Sequence, residues 1–71
     1  MKEIGGFGMF INEEGDKYKG NLIEGVPNGE GEYWFATGQY YNGTFKNGKP
    51  HGFGIYKYAN GHIYEGNFEY G

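Results

Sequence analysis

Seventy-one residues suffice for one domain at most, and a domain of that size is thermodynamically marginal. There is no cysteine, so neither disulfides nor thiolate metal sites reinforce it. Burial at roughly 25 cal/mol per Å² only about balances an ordering cost of roughly 1.5 kcal/mol per residue, so stacking onto further repeats or a partner is the remaining source of stability. Six lysines, no arginine and a net charge of −3 exclude a nucleic-acid surface, which needs clustered basic residues to neutralise phosphates.

Sixteen glycines would suit a disordered chain, but disorder does not accommodate 21% aromatic residues. Glycine falls every few residues and no apolar stripe repeats at 3.6, which excludes helices. Short segments rich in Tyr, Phe and Ile instead predict strands at 5–11, 16–23, 30–35, 39–46, 53–58 and 62–69. The link after the first strand is Asn12 to Gly15, in the same phase as Thr37-Gly38 and Asn60-Gly61. Glycine there is expected to supply the positive φ of primed hairpin turns. The connections Glu24 to Gly29 and Asn47 to Gly52 are expected to hold Pro27 and Pro50 outside the ladders. The expected fold is all-β: a single-layer, elongated antiparallel meander of six strands in three hairpins.

A 23-residue period runs through the whole chain. Tyr18, Tyr41 and Tyr64 mark it, each followed two residues on by Gly20, Gly43 or Gly66, then by Leu22, Phe45 or Phe68. Gly-x-Gly pairs recur at Gly6/Gly8, Gly29/Gly31 and Gly52/Gly54. Such a period signals stacked supersecondary units whose function lies in an extended surface. Strand alternation places Tyr18, Tyr33, Phe35, Tyr41, Phe45, Tyr56, Tyr58, Tyr64 and Phe68 on one face. The glycines Gly20, Gly29, Gly31, Gly43, Gly52, Gly54 and Gly66 share that face as structural residues, each leaving a gap over which a neighbouring ring can lie. The other face is mostly polar, with Phe7, Met9, Ile11, Ile23, Trp34, Tyr40, Phe53, Ile55 and Ile63 as a candidate second apolar patch.

Catalytic motifs are missing. The Gly-x-Gly pairs lead into no helix, so no helix N-terminus meets a phosphate as dinucleotide binding requires. His51 and His62 are isolated, without cysteine beside them, and form no zinc pattern. Glu30 and Glu32 lie about 7 Å apart along one strand, but a flat sheet offers nothing to desolvate either carboxyl. Serine, arginine and thiol groups are absent, removing most nucleophiles and oxyanion clamps. The expectation is a non-enzymatic chain with no catalytic residue, metal, cofactor or small-molecule substrate.

The spacing Tyr-x-Gly-x-Phe-x-x-Gly-x-x-His-Gly-x-Gly-x-Tyr-x-Tyr-x-x-Gly, from Tyr41 to Gly61, closely resembles the MORN repeat (membrane occupation and recognition nexus). Tyr18 to Gly38 matches it with Leu22 for the aromatic residue and Asn28 for the histidine. The resemblance divides the chain into a half repeat 1–17, full repeats 18–40 and 41–63, and a half repeat 64–71, expected to be a segment of a longer array. The first half repeat departs most, with Phe10 for Tyr and Asn12 for the second aromatic residue. What the resemblance implies is a scaffold for protein assemblies, often homodimeric or adjoining another domain, as in some lipid kinases and SET-domain methyltransferases.

The leading expectation is therefore a scaffold or protein–protein interaction module whose partner is another protein or a second copy. Its partner-binding residues are Tyr33, Phe35, Tyr41, Phe45, Tyr56, Tyr58, Tyr64 and Phe68, since rings anchor interfaces. A homo-oligomer is expected, associating by the aromatic face or by the terminal strand edges. Alternatives are a phospholipid-surface module, disfavoured by the negative charge, glycan or choline recognition, disfavoured by the 23-residue period and the single Trp34, and a regulatory appendage of an enzyme domain outside this sequence. No 20-residue apolar run or signal-peptide stretch is present. The expected setting is cytoplasmic, with membrane- or cytoskeleton-associated structures as the finer alternative.

Overall fold

A computed structural model describes residues 5–69. They form six strands: β1 (Gly5–Ile11), β2 (Lys17–Ile23), β3 (Val26–Trp34), β4 (Tyr40–Lys46), β5 (Lys49–Lys57) and β6 (Ile63–Glu69). Each pairs antiparallel with the next in one open sheet of order β1-β2-β3-β4-β5-β6. No helix occurs among the described residues, and the molecule measures 43 × 27 × 16 Å. All six strands belong to that one sheet, so a single layer of backbone carries the side chains of both faces.

Register organises everything else. One row of paired positions runs Gly8, Gly20, Gly31, Gly43, Gly54, Gly66 across all six strands. Two residues along, a parallel row runs Phe10, Tyr18, Tyr33, Tyr41, Tyr56, Tyr64. Both rows project to the same face because strand side chains alternate with a period of two. The core is small and lies on that face: Tyr18 and Tyr41 are fully buried and Phe45 nearly so. Phe10, Leu22, Tyr33, Phe35, Tyr56 and Phe68 pack around them.

Two sequence expectations require correction at one end of the sheet. β3 and β5 begin at Val26 and Lys49, four residues earlier than the pattern indicated, so Pro27 and Pro50 lie inside strands, opposite Leu22 and Phe45. They are tolerated because the register shifts beside them, between Gly20/Leu22 and Gly43/Phe45, and a bulge interrupts the ladder that proline would otherwise break. The links between these strands are two-residue turns, Glu24-Gly25 and Asn47-Gly48, with φ of 52°, 81°, 54° and 86°. Two successive positive φ values are those of a type I′ hairpin, whose twist suits the flanking strands. The Gly48 N–H donates to the Pro27 carbonyl at 2.9 Å, tying one such turn to the neighbouring hairpin.

The opposite end also differs from expectation. Asn12–Asp16, Phe35–Gln39 and Tyr58–His62 are wider turns, closed by Asn12 N–H to Asp16 O (3.0 Å), Phe35 N–H to Gln39 O (2.9 Å) and Tyr58 N–H to His62 O (2.8 Å). Inside each, Gly15, Gly38 or Gly61 takes a positive φ and donates back to the first residue's carbonyl. This is a type I turn completed by a left-handed glycine, not a primed two-residue link.

Glu24 occupies the left-handed position that Asn47 fills one repeat later, and asparagine tolerates that conformation better than glutamate does. Glu24→Asn should therefore raise unfolding stability by about 0.5 kcal/mol, and Asn47→Glu should lower it by a similar amount. Urea unfolding followed by circular dichroism checks both. Equal and unchanged midpoints would contradict the turn assignment.

Candidate functional site

The aromatic face is built from one repeated contact. The Tyr18 hydroxyl donates to the Asn21 carbonyl at 2.6 Å, and Tyr41 and Tyr64 do the same to the Thr44 (2.9 Å) and Asn67 (3.3 Å) carbonyls. That bond folds each ring down over its own strand's glycine, and carries the Tyr18 and Tyr41 rings across to the glycine of the next strand. A Cβ on Gly31 would lie 2.6 Å from the Tyr18 ring, and one on Gly54 would lie 2.5 Å from the Tyr41 ring. Any other residue at Gly31 or Gly54 displaces the ring. These glycines serve space; Gly25 and Gly48 serve backbone angle.

Phenylalanines then wedge between successive tyrosines. Phe45 meets Tyr18 at 5.2 Å and 87° and Tyr41 at 5.1 Å and 89°. Phe68 meets Tyr41 at 5.0 Å and 85° and Tyr64 at 5.2 Å and 90°. Edge-to-face geometry sets the positive ring edge against the negative face and adds about 1 kcal/mol per pair beyond area burial. Burial pushes the Tyr18 phenol up to about 12, because ionising it would strand a charge under neighbouring rings. Burial also raises Tyr41, with the bond to Thr44 opposing it.

Of the residues singled out in the sequence, Tyr41 and Phe45 are buried in this layer and hold the surface up from beneath. Tyr33, Phe35, Tyr56 and Phe68 are half-buried, while Tyr58 and Tyr64 are 49% and 45% exposed. Four of them form a continuous row beside the wider turns: Tyr33 to Phe35 at 4.7 Å, Phe35 to Tyr56 at 6.1 Å, and Tyr56 to Tyr58 at 4.8 Å. Gly29 and Gly52, also singled out, take positive φ at the bulges, facing Asn21 and Thr44.

A polar latch at one end of that row had no signal in the sequence. Asp16 accepts from the Ala36 N–H (2.7 Å), the Tyr33 hydroxyl (3.1 Å) and Asn12 Nδ2 (3.3 Å), joining two neighbouring turns. The Ala36 bond chiefly holds its carboxyl below the usual range. Tyr33 is raised, first by burial and then by its bond to Asp16. Gln39 and His62 take the Asp16 position in later repeats, so only the spacing could have suggested the contact.

The second face does not form one apolar patch. Lys17 Nζ sits 5.2 Å from the Trp34 ring and Lys57 Nζ 5.5 Å from the Tyr40 ring, with Trp34 and Tyr40 5.5 Å apart between them. The Tyr40 hydroxyl donates to Glu32 at 2.7 Å. This charged centre separates Phe7, Met9 and Ile11 on β1 from Phe53 and Ile63 near the far edge. A shallow depression of about 390 Å³ lies beside it, lined by Glu30, Asn42, Thr44, Phe53 and Ile55. Among the described residues no three His, Asp or Glu side chains converge to hold a metal ion.

An open single-layer sheet with its core on one face and a period of 23 defines a β-repeat module. The MORN-repeat profile matches two consecutive repeats, residues 18–40 and 41–63, and the chain belongs to the MORN-repeat family. That family is generally non-catalytic and often serves binding or scaffolding. No curated protein matches the chain.

Gly54→Ala should destabilise by about 3 kcal/mol, because the buried Tyr41 ring has nowhere to go. Gly66→Ala, beneath the half-exposed Tyr64, should cost about 1 kcal/mol or less, because that ring can swing into solvent. Chemical denaturation of both variants checks the contrast; equal losses would contradict it.

The raised Tyr18 pKa also sets an alkaline limit. The folded state retains the Tyr18 proton longer than the unfolded chain, so the stabilisation is complete below pH 10 and is lost as pH climbs from 10 towards 12. Tyr18→Phe should cost about 1 kcal/mol at neutral pH through the lost hydrogen bond, yet show a shallower decline over that interval. Unfolding midpoints measured across that interval check this, and parallel declines for both proteins would refute it.

Proposed function

We propose that the protein is a non-catalytic scaffold that presents its aromatic–glycine sheet to a protein partner in a cytoplasmic setting. The observation carrying this reading is the row Tyr33, Phe35, Tyr56, Tyr58, in which rings already ordered by mutual contact keep part of their surface open. Pre-ordered rings lose little conformational freedom on docking, which is why such residues dominate interface energies. Tyr64 and Phe68 continue the surface towards β6, while Tyr41 and Phe45 support it from within. A phospholipid surface fits less well. Net charge is negative, and two of the six lysines, Lys17 and Lys57, are engaged with rings on the opposite face.

A photo-reactive phenylalanine analogue placed at Tyr58 should give discrete protein adducts in cells. The same analogue at Asn42, on the opposite face, should give few, and Phe35→Ser should suppress the adducts at position 58. Equal adducts from both positions, or none from position 58, would sink the proposal.

A further inference from the structure

We propose that the open row Tyr33, Phe35, Tyr56, Tyr58 takes a proline-rich segment of the partner, held as a polyproline II helix whose carbonyls accept from the Tyr56 and Tyr58 hydroxyls. This names the chemistry of the partner for the scaffold reading above and rests on that reading.

The argument starts from where the tyrosine hydroxyls go. Those of Tyr18, Tyr41 and Tyr64 donate to carbonyls of their own strands, Tyr33 donates to Asp16 and Tyr40 to Glu32. The hydroxyls of Tyr56 and Tyr58 donate to no protein acceptor among the described residues, and both belong to the open row. The repeat explains why. Tyr56 stands one period after Tyr33, but Gln39 takes the place of Asp16, and its Oε1 accepts from the Thr37 hydroxyl instead. Tyr58 stands one period after Phe35, so its hydroxyl is an addition of this repeat. The carbonyls of Phe35 and Tyr58 already accept from the Gly38 and Gly61 N–H groups inside their turns, each at 3.0 Å. The row therefore offers two donors, and its side chains hold no free acceptor.

That asymmetry selects among the shapes a peptide can take. A docked helix keeps its backbone hydrogen bonds to itself and would leave both hydroxyls unpaired under apolar cover, which costs free energy. An extended strand brings N–H groups that would find no acceptor on the row. A polyproline II segment has carbonyls with no internal partner, and each proline lacks an N–H. Two residues of such a helix rise about 6 Å. The Phe35 and Tyr56 rings lie 6.1 Å apart, so pyrrolidine rings fit successive slots between the aromatic ones. Both surfaces are ordered before they meet, and little conformational freedom is lost on docking. Charge completes the match. Glu13 and Glu14 stand exposed in the turn beyond Tyr33, which favours a basic residue flanking the proline run.

The test is fluorescence anisotropy with a labelled peptide of about ten prolines flanked by lysines, titrated with the 71-residue chain. Binding should saturate. A glycine–serine peptide and an amphipathic helical peptide, each with the same flanking lysines, should bind more weakly by about tenfold or more. Tyr56→Phe/Tyr58→Phe keeps both rings and removes the donors, and it should weaken the proline peptide by about tenfold. Tyr40→Phe, on the opposite face, should leave that affinity unchanged. Circular dichroism confirms the sheet in each variant. No saturable binding, equal binding of either control peptide, or undiminished affinity in the double phenylalanine variant would each overturn the inference. Should photo-adducts still form at position 58 in that event, the partner docks in another conformation and the scaffold proposal stands; if they are absent too, both fall.

Discussion

A tyrosine ring laid across two glycines on adjacent strands is the contact on which the rest of this molecule depends. Removing both Cβ atoms lets the ring lie against the backbone, and the hydroxyl bond to a carbonyl three residues on holds it down. A sheet normally needs a second layer to bury its apolar face. Here the side chains of the sheet itself supply the cover, with Phe45 and Phe68 closing the spaces between tyrosines. The arrangement succeeds only if glycines pair with glycines, so register is under stricter demand than in an ordinary meander. The bulges near Leu22 and Phe45 satisfy that demand, absorbing extra residues of β3 and β5 between the turn and the glycine row.

Much of this was legible because the period repeats the same chemistry in register. Six strands, their order and the two faces follow from Tyr18, Tyr41, Tyr64 and the glycines between them, since alternation converts spacing directly into side. The starts of β3 and β5 were not legible. Pro27 and Pro50 read as strand breakers, and only a bulge beside each makes them compatible with pairing. Asn47-Gly48 is a strong hairpin signal that the nearby Pro50 masks, and Glu24-Gly25 hides the same turn behind an unfavourable residue. Exposure was less legible still. Periodicity says that Phe45 and Tyr58 share a face, but ring orientation decides that one is covered and the other open. The Asp16 latch joins residues 17 to 21 positions apart and is not repeated in kind, so it left no periodic trace.

The second face solves a different problem. A polar sheet face with exposed aromatic residues invites unwanted association. Here Trp34 and Tyr40 lie under Lys17 and Lys57, whose stems and charges cover the rings while keeping the ammonium groups in water. The order Ile11, Lys17, Trp34, Tyr40, Lys57, Ile63 along one row places the apolar ends at the outermost strands. Charge is thus spent at the centre of the sheet and bare hydrocarbon is left at its margins.

That distribution follows the energetics of a quasi-one-dimensional array, in which each unit gains stability from its neighbours and a terminal unit gains it from one side alone. Tyr41 has a glycine pair beneath it and phenylalanines on both flanks, and it is fully buried. Tyr64 has one glycine and one phenylalanine, and nearly half of it meets solvent. Both rings belong to the same Tyr-x-Gly-x-Phe motif, and among the described residues Tyr41 has a strand on each side while Tyr64 has one. Open ring surface is therefore concentrated along the row beside the wider turns, while the middle of the aromatic face is already committed to holding the fold.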